Sequence, residues 1–424
     1  MDRRDFMKLA SLAGVSLASP LGLGRAFAAD PTLANTPYEG LFFVTIHAGG
    51  GWDPTSLCDP KGRVDENASD PMNMYFTGDI RTAGNIQYAP VDRFTPIFEK
   101  YHQRLVVFNG IDTSTNGHMS GTRHIWSGNL AEGTPSLSAL FAGAVAAGRP
   151  LTFISNGGYD YTADVVARTR ISNVGALAKI AFPNRVDPNN ASALYHTETT
   201  LGRIQAARKA RRDDALAKVS LPKERKARST LFMARQGENE LRQLTAYLPD
   251  DFDNSGNPLK RQAQLAVASY KAGLTASASL THGGFDTHGN HDATHIPRLA
   301  NVLEGLDFLV EEAERQGVAD KLVVLVGSDF GRTPGYNMNN GKDHWSITSL
   351  MMMAPGVTGN RVIGSSDERH RGHSINPTTL ARQDDGIRLT PGSIHRALRN
   401  YLGIAEHPVV TPFHIDEPDL PLFG

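Results

Sequence analysis

The sequence predicts an α/β protein with a mostly parallel central sheet and helices on both faces of that sheet. Short runs of apolar residues carry almost no polar interruption, which is typical of strands covered on both faces. Helical patterns or long connections separate these runs, as crossovers between parallel strands require. The predicted strands are residues 41–46, 105–108, 151–154, 274–280, 322–326 and 349–354.

Between these strands, apolar residues recur at the spacing of helices. In the segment 296–316, for example, Leu299, Val302, Leu306 and Val310 recur at helical spacing and give one apolar stripe. Residues 203–250 are rich in Lys, Arg, Glu and Ala, so we expect a solvated helical insertion there, with a partner-binding patch as the alternative. The predicted helices are residues 94–101, 136–147, 208–218, 230–247, 262–272, 296–316 and 391–402.

Residues 1–28 have the pattern of an export signal. Arg3-Arg4 precedes a modestly apolar run, Leu9–Leu23, and Ala26-Phe27-Ala28 gives the small-x-small pattern of a cleavage site. The paired arginines and the weak hydrophobicity favour the twin-arginine (Tat) route over Sec. We therefore expect a Tat signal peptide over residues 1–28, recognised by the Tat translocase, and a periplasmic or secreted domain over residues 29–424. An ordinary amphipathic N-terminus is the alternative.

Composition excludes several classes of protein. The 424-residue chain has a formal net charge of −1, so it lacks the basic balance typical of nucleic-acid binding. After the signal, no apolar run approaches the ~20 residues that span a bilayer, so we expect no transmembrane segment in the mature chain. The single cysteine, Cys58, excludes a disulfide within the chain.

Aspartate and histidine residues cluster near the ends of the predicted strands. Because the carboxyl ends of parallel strands meet at one edge of a sheet, we expect these side chains to converge there. Carboxylate and imidazole together favour one or two divalent ions, with Zn²⁺ preferred and Mg²⁺, Mn²⁺ or Ca²⁺ as alternatives. The candidate ligands are Asp53, Asp286, His288, His291, Asp329, Asp343 and His344.

Four motifs together resemble one protein family. They are Gly-Gly-Trp-Asp at 50–53, Gly-Gly-Phe-Asp-Thr-His at 283–288, Ser-Asp-Phe-Gly-Arg-Thr at 328–333 and Gly-Lys-Asp-His-Trp at 341–345. In this order, behind a twin-arginine signal, they resemble the DUF1501 family of exported bacterial proteins, which is placed in the alkaline phosphatase/sulfatase superfamily. The resemblance implies an alkaline-phosphatase-like α/β/α sandwich with a pocket for one or two divalent metals. It also implies Asp53 as the first-strand ligand, Asp286 with His288 or His291 as the central ligands, Asp329 near the later Asp-His pair, and His344 as the late histidine.

The expected activity is hydrolysis of a small anionic phosphate or sulfate ester by metal-assisted in-line attack. His118 is expected to protonate the leaving group, and Arg332 or Arg123 to hold the ester oxygens. Arg332 lies three residues after Asp329, so neutralising Asp329 is its alternative role.

The nucleophile is the least defined part of this site. Ser120, in the polar segment after the second strand, is our choice, and Thr55 and Ser56 remain open. A single-metal reaction with water as the nucleophile is equally compatible with the sequence. The alternative from another class is a non-catalytic periplasmic binding or assembly protein, with a protein partner, that keeps the fold and a structural metal.

Overall fold

The computed structural model describes residues 16–18, 37–147, 149, 151–171, 181–187, 190–218 and 241–423. In chain order its strands are β1 (Ser16–Ala18), β2 (Phe42–Gly49), β3 (Arg81–Ala83), β4 (Ile86–Tyr88), β5 (Val106–Asp112), β6 (Phe153–Ser155), β7 (Arg168–Arg170), β8 (Ser277–Gly283), β9 (Leu322–Ser328), β10 (Gly331–Arg332), β11 (His344–Trp345), β12 (Ile347–Met353) and β13 (Arg361–Ile363). Its α-helices are α1 (Thr95–Tyr101), α2 (His118–Ser127), α3 (Leu137–Val145), α4 (Glu198–Ala217), α5 (Pro258–Lys271), α6 (His291–Arg315) and α7 (Pro391–Tyr401).

Within these ranges the central sheet has nine strands in the order β1-β7-β6-β8-β2-β9-β12-β5-β13. Strand β2 lies in the middle and pairs in parallel with both β8 and β9. Strand β12 runs antiparallel to both of its neighbours, β9 and β5. The amino end of β12 therefore lies at the same edge as the carboxyl ends of β2, β8 and β9.

Both faces of the sheet are buried, which explains why its central strands are apolar throughout. Alternate residues of β2 point to opposite faces, so Val44 packs in one hydrophobic core and Phe43 in the other. Helices α5 and α6 cover the first face, with Leu265 and Leu303 in its core. Helices α2, α3 and α7 contribute to the second core. The predicted α/β/α sandwich with a mostly parallel sheet is confirmed.

The predicted elements differ from the observed ones mainly at their ends. Strand β8 runs three residues further along the chain than predicted, and helix α6 begins at His291 instead of Ile296. Helix α2 lies in a segment that we had assigned only as a polar loop. Of the predicted insertion, α4 is observed, whereas residues 219–240 lie outside the described part of the chain.

The export signal lies mostly outside the described residues. Only Ser16–Ala18 is described, as a strand that pairs antiparallel with Arg168–Arg170 at one edge of the sheet. The signal peptide and its cleavage after Ala28 therefore stay predictions. Among the described helices, none combines the length and the apolar character that crossing a membrane requires.

Candidate metal centre

Four side chains from three chain segments meet at the edge of the sheet where β2, β8 and β9 end. Asp286 and His288 follow β8, His118 is the first residue of α2, and His344 lies in β11, just before the antiparallel strand β12. We call these four residues the outer cluster. His344 precedes its strand, and it reaches the site because β12 runs in the opposite direction to its neighbours.

The donor atoms of the outer cluster face one another. Asp286 Oδ1 lies 2.9 Å from His288 Nε2 and 3.0 Å from His344 Nε2. These two imidazole nitrogens are 3.1 Å apart. His118 Nε2 stands slightly further away, 3.5 Å from Asp286 Oδ2. One ligand atom from each of Asp286, His118 and His344 can be chosen so that all lie within 4.8 Å of one another.

Acceptors outside the cluster fix the tautomers of His288 and His344. His288 Nδ1 lies 2.7 Å from the Asp343 carboxylate, and His344 Nδ1 lies 2.8 Å from the Asn116 carbonyl oxygen. Because an ionised carboxylate and a carbonyl only accept hydrogen bonds, each Nδ1 must carry the hydrogen. In a neutral ring the lone pair then sits on Nε2. Both lone pairs therefore point at the Asp286 carboxylate.

His118 is oriented in the same way. Its Nδ1 lies 2.8 Å from Asp329 Oδ2, which leaves Nε2 directed towards Asp286. When the rings are neutral, three imidazole lone pairs and the Asp286 carboxylate converge, and Arg332 is the described Lys or Arg side chain that pairs with this carboxylate, so the outer cluster can accept further positive charge. Protons or a metal cation can supply it, and a ring held by an outer acceptor on its other nitrogen is the usual arrangement of a metal-ligating histidine.

The charges around the cluster favour ionised carboxylates. Partial burial opposes ionisation of Asp286, but the hydrogen bond from Arg332, with a second one from Nε2 of the protonated form of His344, outweighs burial and holds the pKa of Asp286 below its ordinary value. The hydrogen bond from His288 lowers the pKa of Asp343. The hydrogen bond to Asp329 raises the pKa of His118.

Asp329 orients His118 through the hydrogen bond to its Nδ1. Its carboxylate is buried and accepts hydrogen bonds from His118 Nδ1 and from the Gly50 N–H, the latter at 3.2 Å to each oxygen. His47 Nε2 lies 3.3 Å from Asp329 Oδ1, and Trp126 donates to His47 Nδ1. Burial opposes ionisation of Asp329, but these partners keep its pKa below the ordinary value. Asp329 thus contacts His118 and not Arg332.

Arg332 is fully buried and holds the loops of the site together. Its Nη2 donates to Asp286 Oδ1 at 2.8 Å and also to the Gly50 carbonyl oxygen. Its Nε donates to the Gly51 carbonyl oxygen, and its Nη1 to that of Lys342. The structure therefore pairs Arg332 with Asp286, and not with Asp329, which was one of its two expected roles. In the middle of α2, the other candidate, Arg123, donates to the Leu130 carbonyl oxygen.

Two of the predicted ligands, Asp53 and His291, lie in a separate cluster that is closed to solvent. We call Asp53, His291, His295 and Lys342 the buried cluster, because each of them has no more than a trace of exposed surface. Lys342 Nζ lies 2.6 Å from Asp53 Oδ2, and His291 Nε2 lies 3.2 Å from the same oxygen. Burial opposes ionisation of Asp53, but Lys342 and His291 lower its pKa well below the ordinary value.

Hydrogen bonds in the buried cluster form a consistent ring. The Asp53 N–H donates to His295 Nε2, so a neutral His295 carries its hydrogen on Nδ1 and donates it to Thr287 Oγ1. Thr287 can then donate its own hydrogen to His291 Nδ1, which leaves His291 Nε2–H to donate to Asp53. Burial and the neighbouring His291 lower the pKa of His295, which keeps that ring neutral.

The candidate nucleophiles do not meet in one place. Ser120, in the first turn of α2, has its Oγ 2.7 Å from Thr115 Oγ1 and donates to the Gly117 carbonyl oxygen, both in the segment that leads into the helix. Thr55 and Ser56 are buried, and both hydroxyls donate to Asp53. In the described geometry these hydroxyls are therefore occupied by partners outside the outer cluster.

Sequence reasoning missed His47, His295 and Lys342 as parts of these networks. His295 follows His291 by four residues, so both lie on one face of α6, and this spacing is a usable signal. Lys342 is adjacent to Asp343 and His344, but nothing in the sequence marks it as buried. His47 lies within an otherwise apolar strand, where a polar residue needs a partner.

The chain belongs to a protein family whose model matches most of its length. The family model described as "Protein of unknown function (DUF1501)" matches residues 43–398, and the predicted family is thereby confirmed. A search of curated proteins found no match.

Several solved structures are similar to this chain at low sequence identity. Ps i-CgsB, in complex with k-i-k-neocarrahexaose, is 9% identical with a TM-score of 0.42, covering 90% of this chain and 75% of that chain. The lipoteichoic acid synthase LtaP from Listeria monocytogenes is 9% identical with a TM-score of 0.38, covering 97% and 80%. A protein in the alkaline phosphatase superfamily from Vibrio parahaemolyticus is 11% identical with a TM-score of 0.37, covering 95% and 76%.

Proposed function

We propose that the protein is an exported, metal-dependent hydrolase that acts on a phosphate or sulfate ester. The observation that carries this proposal is the outer cluster, where imidazole lone pairs and the Asp286 carboxylate face one another while each Nδ1 is held from outside. Export by the Tat route to the periplasm is part of the same proposal, and it rests on the N-terminal sequence.

The donor atoms fit a zinc-sized cation. Zinc bound at 2.0–2.1 Å in a tetrahedron has ligand atoms about 3.3 Å apart. Asp286 Oδ1, His288 Nε2 and His344 Nε2 lie 2.9, 3.0 and 3.1 Å from one another. Two imidazoles and one carboxylate favour Zn²⁺ over Mg²⁺ or Ca²⁺, which prefer oxygen. When bound, such an ion supplies Lewis acidity that polarises ester oxygens and acidifies water.

His118 is the residue that we assign to proton transfer. Its Nδ1 is held by Asp329, and its Nε2 stands 3.5 Å from Asp286, further than the other two imidazoles do. In the reaction, the oxygen of water forms a bond to phosphorus or sulfur, and the bond from that atom to the leaving oxygen breaks. His118 acts in its doubly protonated form: it gives the Nε2 proton to the leaving oxygen, and the proton released by the attacking water returns to Nε2. Water replaces Ser120 as the proposed nucleophile because the Ser120 hydroxyl is hydrogen-bonded to the segment just before α2.

The non-catalytic alternative assigns His118 differently. A zinc site with four protein ligands is closed, which is typical of structural sites, whereas a catalytic site keeps one position open. If His118 is the fourth ligand, the outer cluster is structural and the chain is a binding protein. The observation that favours this alternative is the absence of a hydroxyl nucleophile from the described contacts of the outer cluster.

Substitution of His118 separates the two functions. The hydrolase proposal expects His118→Ala to keep its zinc, as measured by ICP mass spectrometry, and to lose ester hydrolysis by about 10²- to 10⁴-fold. The wild type would be screened against phosphate and sulfate esters with and without chelator. Loss of zinc from His118→Ala, together with no hydrolysis by the zinc-loaded wild type, would contradict the proposal and favour the binding protein. Ser120→Ala is the matched control, and we expect it to keep both zinc and hydrolysis.

A further inference from the structure

The buried cluster contains the residue types of a second metal site, but the Lys342 ammonium already places a positive charge there. Asp53 and His291 were expected to contribute to a site for one or two ions, and His295 lies beside them. The Lys342 ammonium lies among oxygen atoms at that place: 2.6 Å from Asp53 Oδ2, 3.3 Å from Asn73 Oδ1 and 3.4 Å from Thr55 Oγ1. Three N–H groups thus face three oxygen atoms.

The Asp53 carboxylate has no free acceptor position for a metal ion. Its Oδ1 accepts hydrogen bonds from the Thr55 N–H and the Thr55 hydroxyl. Its Oδ2 accepts from Lys342 and from His291 Nε2, and the Ser56 hydroxyl lies 3.0 Å from the same oxygen. An ionised carboxylate offers about four lone-pair sites, and these donors leave none of them free.

The charges lead to the same conclusion. In the buried cluster the negative charge of Asp53 is balanced by the positive charge of Lys342, and the low pKa of His295 keeps that ring neutral. A divalent ion added here would stand in a low-dielectric environment with no uncompensated anion, which is unfavourable. The outer cluster differs because Asp286 and Asp343 are half-exposed and only Arg332, among the described cations in contact, opposes them.

We propose that the Lys342 ammonium fills the second cation position, so that the chain binds a single metal ion, at the outer cluster, and none beside Asp53. This inference rests on the proposed function for the ion at the outer cluster. It makes Lys342 the residue that sets the metal stoichiometry. Lys342 also precedes Asp343 and His344 directly, so its burial fixes the segment that carries them.

Metal counting tests the inference. The protein would be dialysed against excess Zn²⁺, desalted and measured by ICP mass spectrometry. We expect one equivalent in the wild type and none in Asp286→Asn. Lys342→Ala removes the ammonium and makes room beside an unpaired carboxylate, so we expect two equivalents there. The matched control, Asp53→Asn combined with Lys342→Ala, removes that carboxylate as well and should return to one.

A second variant keeps the inference testable if Lys342→Ala does not fold. Asp53→Asn combined with Lys342→Met replaces the buried ion pair with neutral groups of similar size, and we expect it to keep one equivalent. Two equivalents in the wild type, a folded Lys342→Ala with only one, or loss of zinc from the neutral pair would each overturn the inference. A wild type without zinc would instead overturn the proposed function on which it rests.

Discussion

The outer cluster and the buried cluster are built from the same residue types, aspartate and histidine, yet they satisfy their charges in opposite ways. In the buried cluster, Lys342 and a closed ring of hydrogen bonds neutralise Asp53 without help from solvent. In the outer cluster, the hydrogens of the imidazoles are turned outwards and their lone pairs face Asp286. The comparison teaches that residue type alone does not identify a metal ligand. The direction of each hydrogen bond and the presence of a fixed cation distinguish the two clusters.

The largest expected effect comes from breaking the buried ion pair. Lys342→Met leaves Asp53 charged, buried and unpaired, so we expect the free energy of unfolding to fall by about 3–5 kcal/mol. Urea denaturation measures this loss. The variant that combines Asp53→Asn with Lys342→Met should recover most of it, because no charge remains buried. A Lys342→Met protein as stable as the wild type would show that the pair contributes nothing.

Asp286→Ala should change the stability of the metal-free protein little but should abolish the stabilisation by zinc. Asp286 is half-exposed, so without metal we expect a smaller change in stability than for Lys342→Met. Zinc at 100 times its Kd should stabilise the wild type by about 2.7 kcal/mol, and this gain should vanish in Asp286→Ala. Thermal unfolding with and without zinc measures the difference. An equal zinc-dependent rise in Tm for both proteins would place the ion elsewhere.

Asp343→Ala tests the outer support of His288. Without the Asp343 carboxylate, His288 Nδ1 loses its acceptor and the ring is free to turn, so we expect zinc affinity to fall by about 10- to 100-fold. Calorimetric titration with zinc gives this ratio. Asp320→Ala, which removes an exposed carboxylate in the connection before β9, is the matched control and should bind zinc as the wild type does. Unchanged zinc affinity in Asp343→Ala would show that the hydrogen bond from His288 to Asp343 does not contribute to zinc binding.

The smallest expected effect extends the comparison to a buried histidine outside both clusters. His395 in α7 donates from Nε2 to the Ile125 carbonyl oxygen, and burial lowers the pKa of His395 to about 3. The unfolded chain takes up a proton near pH 6.5, whereas the folded chain does not, so stability present above pH 6.5 is lost as the pH falls towards 3.

At pH 5.5 this one group should contribute about 1.4 kcal/mol of destabilisation relative to pH 8. His395→Gln keeps a donor but does not titrate, so its stability should fall less between these two pH values. His102→Gln, at a partly exposed position, is the control and should follow the wild type. Parallel pH profiles for wild type and His395→Gln would contradict the assignment.

The sequence predicted the architecture well because parallel strands buried on both faces leave a strong signal. The runs 41–46 and 322–326 have almost no polar residues, and both became central strands. Helix α2 was missed because its first turn, beginning with His118 and Met119, is polar and glycine-rich, and its apolar residues Ile125 and Trp126 come only near the end. Short strands such as β13 are set by neighbouring chain segments, which a local pattern does not reveal.

The candidate site was predictable in its residue types but not in their grouping. Four of the expected residues, His118, Asp286, His288 and His344, are brought together, although His118 was expected only as a proton donor. Asp53 was separated from them by Lys342, whose partner is 289 residues away in sequence. A pairing over that distance depends on the packed fold, so no spacing rule could have found it.

The most direct measurement is an anomalous difference map, recorded at the zinc absorption edge, from a crystal of the zinc-loaded protein. The account predicts one peak, bounded by Asp286, His288 and His344, and no peak beside Asp53, where the Lys342 ammonium should be seen instead. A zinc peak in contact with Asp53, or a zinc-loaded crystal with no peak at the outer cluster, would contradict it.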